Sequence, residues 1–262
     1  MSNSVQGSAG KAADRPSNNL LAHLSDNDFA LLAPHLEDCQ LSANENLYNS
    51  GDRIATVYFP CGSSLVSHLL VLEDGRAVET LLVGREGAAG QIMGPHPSRA
   101  YSTLAVKFGG AFVKVSAAAL EKAKITSSSL REVFDREVEC LLARVMQAAA
   151  CNAVHSVEQR TAKWIIALTA VTADDEVRFT QEQLAAILGV NRSYAARVIQ
   201  KFKADHILQT RRRAIQVLDP RRLQAKSCRC HELAEGFTQD VLAGRHPSEL
   251  KRKRRRQLRS EI

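Results

Sequence analysis

TQEQLAAILGVNRSYAARVIQKFK, residues 180–203, reads as two short helices around a tight turn. Thr180 suits the cap of the first helix, with Gln183 at the reciprocal position of a capping box. Leu184, Ile187 and Leu188 recur at helical spacing and give that helix an inward face. Gly189 falls where the chain must reverse, and glycine tolerates positive φ there. Asn191 suits the cap of the second helix, which buries Val198, Ile199 and Phe202. Its other face carries Arg192, Ser193, Arg197, Gln200, Lys201 and Lys203. A helix apolar on one side and rich in Arg, Lys and Gln on the other, braced by a partner helix, fits a DNA major groove. On this stretch alone, a helical hairpin with a solvated charged face is the alternative.

The next stretch, HILQTRRRAIQVLDP at 206–220, narrows the choice. Ile207 and Leu208 form a short apolar segment, Arg211 to Arg213 a turn, and Ile215, Val217 and Leu218 a second strand. That is a β-hairpin wing with three arginines placed to reach phosphate. A helix-turn-helix followed by a basic wing is much more specific than either part.

At this point the sequence resembles the Crp/Fnr type of bacterial transcription regulators, over nearly all of residues 19–232. The pieces that carry the likeness are NLYNSGD (46–52), VYFP (57–60), EDGRAVETLLVGREGAAG (73–90), CNAVHSVEQRTAKWII (151–166), residues 179–203, and IQVLD (215–219). The resemblance implies an α+β fold in which an N-terminal antiparallel β jelly-roll, similar to cyclic-nucleotide-binding domains, is followed by a long dimerisation helix and a C-terminal winged helix-turn-helix. It also implies base contacts at Arg192, Ser193 and Arg197. Many members read Arg-Glu-x-x-x-Arg there, so Ser193 implies a different half-site. Phosphate contacts are expected from Thr180, Asn191, Tyr194, Lys201, Arg211, Arg212 and Arg213. The usual Arg-Gly at the wing turn is Arg213-Ala214 here, which departs from a tight positive-φ turn.

Charge is distributed to match. Residues 1–150 carry 13 Lys/Arg against 16 Asp/Glu, net −3; residues 151–210 carry 7 against 6, net +1; residues 211–262 carry 15 against 6, net +9. A neutral-to-acidic front and a basic back suit a sensor joined to a polyanion binder, which gains affinity by releasing counterions. The run KRKRRR at 251–256 lacks the apolar face of a membrane-surface helix. No segment approaches the roughly 18 apolar residues of a spanning helix. The first 18 residues, rich in Ser, Asn, Gly and Ala, read as a disordered leader without a secretory h-region. A cytoplasmic protein with reduced thiols is therefore expected from the six cysteines.

The expected domains are a leader (1–18), a β-roll sensor (19–127), a dimerisation helix (128–150), the winged helix (151–232) and a basic tail (233–262). Within 19–37, Leu20, Leu21 and Leu24 precede a cap at Ser25 with Asp28. From Leu41 to about Val115, short strands alternate with turn signals such as EDGR and Gly109-Gly110, which indicates a sandwich or barrel. In 128–150, Phe134, Val138, Leu141, Val145 and Ala148 follow a 4-3-4-3 spacing that keeps one seam toward a partner helix. Packing on the chain's own barrel is the alternative; the resemblance implies a homodimer through this seam.

Cyclic-nucleotide pockets hold ribose with a Glu and phosphate with Arg-Ser/Thr-Ala. At the matching place this chain keeps Gly84, Gly87 and Gly90, but Gln91 and Ile92 stand where the Glu is expected, and Ser98-Arg99-Ala100 reverses the order. Losing that carboxylate removes a charge-assisted hydrogen bond of about 1.5–3 kcal/mol. A degenerate effector pocket around Gly87, Gly90 and Arg99 is expected, with no cyclic nucleotide and no other cofactor. No metal is expected either. Cys39, Cys61, Cys140 and Cys151 lack cluster spacing, Cys228-Arg229-Cys230-His231 lacks a fourth ligand, and His155 is isolated in sequence. No nucleophile elbow, P-loop, HExxH or paired catalytic carboxylate motif appears, so no enzyme is expected. The reading is a homodimeric regulator that binds double-stranded DNA at a near-palindromic operator, with RNA polymerase as a further candidate partner. A small-molecule sensor module is the alternative.

Overall fold

The structure is a computed structural model and describes residues 15–90, 98–172, 175–177, 180–212 and 214–244. It is an α+β chain of two β-containing parts joined by a long helix. Among the described residues two short helices come first, α1 (Asn19–Ala22) and α2 (Asp26–Leu32), followed by a 3₁₀ turn at Ala33–His35. Ser25 caps α2 by accepting from the Asp28 amide.

Among the described residues seven strands follow: β1 (Glu37–Leu41), β2 (Asn46–Tyr48), β3 (Thr56–Pro60), β4 (Leu65–Val71), β5 (Ala77–Val83), β6 (Thr103–Phe108) and β7 (Gly110–Ser116). They form two antiparallel sheets, ordered β1-β7-β3 and β2-β6-β4-β5. Tyr48, Val66, Val83, Leu104, Val106 and Phe112 are buried together between the sheets. Alternation along β6 and β7 sends one set of side chains into this layer and the other outward. The outward set of β3 and β7, with Phe59, Val113 and Val115, is covered by helices rather than water.

Those helices are α3 (Ala117–Thr126) and α4 (Ser128–Val154). Ser127 caps α4 through the Leu130 amide, and its hydroxyl also donates to Asp28 Oδ1 at 2.5 Å. Ser129 and Ser25 donate to Asp28 Oδ2 at 2.8 Å each. Burial works to raise the Asp28 pKa, but these three hydroxyls together hold it below its usual value. One carboxylate thus fixes the start of α4 against α2.

The C-terminal part contains α5 (Val157–Thr172), β8 (Glu176–Val177), α6 (Gln181–Leu188), α7 (Arg192–Ala204), β9 (Leu208–Arg211), β10 (Ala214–Val217), α8 (Pro220–Lys226) and α9 (Cys230–Leu242). Its core packs Ile165, Leu168, Leu184, Leu188, Ile199, Phe202, Ile207 and Ile215, and Leu65 of β4 joins them. Helix α6 therefore rests on the β-roll. Gln183 Nε2 donates to Asn44 Oδ1 at 3.4 Å.

Two elements lie differently from the sequence boundaries. Helix α4 continues to Val154, and α9 crosses residue 232 to run along α4, placing Val241 and Leu242 in the β-roll core. The α4 seam also divides. Phe134 is fully buried edge-on to Phe59 with ring centroids 6.3 Å apart, and Val138 and Leu141 pack on the chain's own core. Val145 is exposed and Ala148 half-buried. No helix among the described residues is long and apolar enough to cross a membrane.

Candidate nucleic-acid interface

The helix-turn-helix is built from local signals. Thr180 Oγ1 accepts from the Gln183 amide at 3.2 Å, and Gln183 Oε1 accepts from the Thr180 amide at 2.9 Å, which completes the capping box. Gly189 ends α6 at φ 65°, a left-handed conformation costly for any residue with a Cβ. Asn191 Oδ1 then accepts from the Tyr194 amide at 2.8 Å and starts α7. Arg160 braces the unit from α5, donating to Leu188 O at 3.0 Å and to Asn152 Oδ1 at 2.9 Å.

Helix α7 buries Ala195, Val198, Ile199 and Phe202 and exposes Arg192, Ser193, Arg197, Gln200 and Lys201. The Arg197 guanidinium lies over the Tyr194 ring, 5.1 Å from its centroid. That stacking limits the arginine's rotamers while leaving its donor edge in solvent. Thr180 and Asn191 use acceptor atoms as caps, so the Thr180 hydroxyl proton and the Asn191 amide protons stay available as donors to phosphate. Lys201 is tied to Glu158 Oε2 at 2.6 Å, which raises its pKa; a phosphate there must compete with that pair.

The wing pairs Ala214 with Arg211 and Val217 with Leu208. Strand β8 adds a third strand by pairing with β10, an element with no distinct signal in the sequence. Arg211 and Arg212 are exposed, and Arg211 Nε lies 3.8 Å from Glu176 Oε2. Arg213 and the basic run 251–256 lie outside the described residues.

The expected effector-pocket residues meet different partners. A Cβ on Gly87 would fall 2.2 Å from Glu137 Oε1, while one on Gly90 would fall 2.6 Å from Thr56 O. Arg99 is exposed and donates to Gly51 O at 2.9 Å. Beside Gly87, Arg144 reaches Glu137 Oε1 at 2.8 Å and Glu86 Oε1 at 2.7 Å. Burial pushes Glu137 up to about 7 despite the nearby Arg144. An adjoining cavity of about 270 Å³, which shares Glu86 and Arg144, lies between β5, α4, α5 and α9 and is also lined by Leu82, Trp164 and His231.

Behind the interface, the structure corrects the expectation of no cofactor and no metal. Cys151, His155, Cys228 and Cys230 bring one ligand atom each to within 4.8 Å of one another, a set able to hold a metal ion. His231, the histidine adjacent in sequence, instead lies by Trp164 and 3.5 Å from Glu235. Two ligands come from across the fold: the last turn of α4 supplies Cys151 and its C-cap supplies His155, whose amide donates to Cys151 O at 3.0 Å.

Residues 159–226 match the family model of a Crp-like helix-turn-helix domain. No curated protein sequence matches the chain significantly. Among solved structures, a protein from Eubacterium rectale assigned to the Crp/Fnr family of transcriptional regulators is similar at TM-score 0.63 and 16% identity, over 79% of this chain and 96% of that one. A CRP-family transcriptional regulator from Thermus thermophilus aligns at TM-score 0.61 and 19% identity, over 72% and 95%. The c-di-GMP-responsive global regulator CLP of Xanthomonas campestris aligns at TM-score 0.60 and 18% identity, over 74% and 100%. At these identities the likeness is one of fold.

Proposed function

We infer that this chain is a transcription regulator of the Crp/Fnr type, a reading supported by the likeness of its fold to such regulators and by the match of residues 159–226 to a Crp-like helix-turn-helix domain. It binds double-stranded DNA in a sequence-specific way and regulates transcription, without enzymatic chemistry and in the cytoplasm. The observation that carries this reading is α7: an apolar face locked into the core and an opposite face of Arg192, Ser193, Arg197 and Gln200 turned to solvent. Arg192 and Arg197 read guanine edges, Ser193 accommodates either a donor or an acceptor, and Thr180, Asn191, Tyr194, Lys201 and the wing arginines fix the register on phosphates.

The protein acts as a homodimer. The exposed apolar side chains Leu142, Val145 and Met146 on α4 support this, since they are 59%, 47% and 63% accessible in the single chain. Two copies of α7 then meet major grooves about 34 Å apart, and the operator is a near-palindrome. Selection of bound sequences from random duplex DNA tests symmetry, spacing and specificity together. Recovery of no shared motif, or of a single asymmetric half-site, would overturn the dimeric operator reading.

The loop at Gly87 and Gly90 is a degenerate effector pocket, supported by Glu137 and Arg144 filling the space beside it. The 270 Å³ cavity supports a second reading, a small-molecule-responsive sensor whose ligand sits between the β-roll and the winged helix. Calorimetry with cyclic AMP and cyclic GMP, and with Leu82→Trp as the variant that fills the cavity alone, separates the two.

A further inference from the structure

We propose that Cys151, His155, Cys228 and Cys230 form a site for one thiophilic divalent cation, zinc in the first instance. A tetrahedral ion bound at about 2.3 Å to sulfur and about 2.0–2.1 Å to nitrogen sets its sulfur atoms about 3.8 Å apart, and sulfur and nitrogen about 3.6 Å apart. Here Cys151 Sγ and Cys228 Sγ are 3.6 Å apart, and Cys230 Sγ and His155 Nδ1 are 3.5 Å apart. The remaining separations stay within 4.8 Å, so small movements close the polyhedron. A two-iron cluster would divide the ligands between opposite sides of a larger core; this set is compact enough for a single ion.

The surroundings agree independently. Lys163 is only 6% accessible, and no carboxylate among the described residues pairs with it. Its ammonium donates to Cys151 Sγ at 3.5 Å and lies 4.4 Å from the Trp164 ring centroid. A buried ammonium calls for an anion. Three thiolates and a dication leave one net negative charge, which Lys163 compensates. The three cysteines are 0%, 6% and 6% accessible, while His155 is half-buried and offers the route for the ion.

The ion ties the C-terminal end of α4 to the connection between α8 and α9 and to the first residue of α9, and so clamps both ends of residues 156–227, the stretch that contains the winged helix. The site stands whether or not the chain binds DNA, and its test reads metal. The full-length chain, purified under reducing conditions, is stripped of metal and titrated with cobalt(II). One equivalent should produce thiolate-to-cobalt charge transfer in the near ultraviolet and intense tetrahedral d–d bands. Zinc should displace the cobalt, and elemental analysis of the untreated protein should find one zinc per chain.

Cys228→Ser should abolish the charge-transfer band or weaken cobalt binding at least ten-fold, and Cys39→Ser, on β1, should leave the titration unchanged. Should Cys228→Ser fail to fold, His155→Gln decides: at this half-buried position the bands should shift and the affinity fall at least ten-fold. Absence of tetrahedral bands, iron with labile sulfide in place of zinc, or a titration indifferent to His155→Gln would overturn the assignment.

Discussion

Replacing Arg197 with alanine tests the interface at its most specific point. The side chain is exposed on α7 and touches its own chain chiefly through Tyr194, 5.1 Å from the ring centroid. Losing an exposed cation–π contact costs about 0.5–1 kcal/mol of fold stability, too little to unfold a domain. Losing a bidentate guanine contact costs about 1–3 kcal/mol, which is roughly a 5- to 150-fold fall in affinity for the selected operator. Binding to random DNA falls much less, since one lost charge changes the salt slope by no more than about 0.9. Arg197→Lys keeps the charge and loses the planar fork, so it should restore the salt slope without the specificity. Competition titrations on selected and random duplexes, at several salt concentrations, read both quantities. Equal losses on the two DNAs would place Arg197 on phosphate, and unchanged affinity on both would remove it from the interface.

Three further outcomes are expected. Burial holds Glu137 at about 7 against an ordinary 4.5, so its carboxyl keeps a proton in the folded state that the unfolded chain releases. Its contribution to stability is complete below about pH 4.5 and is lost as pH rises through 7, by at most roughly 3 kcal/mol; Glu137→Gln should flatten the denaturation midpoint between pH 5 and 8, and an unchanged profile would show that Glu137 does not titrate there. Phe202 is fully buried between α6, α7 and β9, so Phe202→Ala should cost about 3–5 kcal/mol in chemical denaturation, and a cost below about 1 kcal/mol would mean this core is not formed as described. Deleting residues 250–262, which removes KRKRRR, should weaken binding to all sequences alike and flatten the salt slope, whereas an unaltered slope would exclude the tail from the DNA contact.

The helix-turn-helix was legible because each of its instructions is local. Thr180 and Gln183 are three residues apart, Gly189 ends α6, and Asn191 caps α7 by bonding the Tyr194 amide. Period and capping act within a turn or two of helix, so reading the residues in order is enough. The Arg/Lys/Gln face of α7 follows from the same period. The two-sheet β-roll was legible in kind from its turns and alternation. Its coverage was not.

The α4 seam shows the limit. A 4-3-4-3 spacing specifies an apolar face but does not name what covers it, and β3, β7 and α9 cover Phe134 and its neighbours before any partner could. The metal-ligating set shows it more sharply. Cys151 and Cys228 are 77 residues apart in the chain and 3.6 Å apart in space. In sequence, Cys228-Arg229-Cys230-His231 offers the wrong histidine, which turns to Trp164 and Glu235. The amino-acid sequence alone determined the helices, their caps, the wing and the charged face, because those depend on contacts between near neighbours. The tertiary structure alone decided which thiols meet, where α9 docks and which side of α4 the chain itself leaves uncovered, because those depend on how separately formed elements pack.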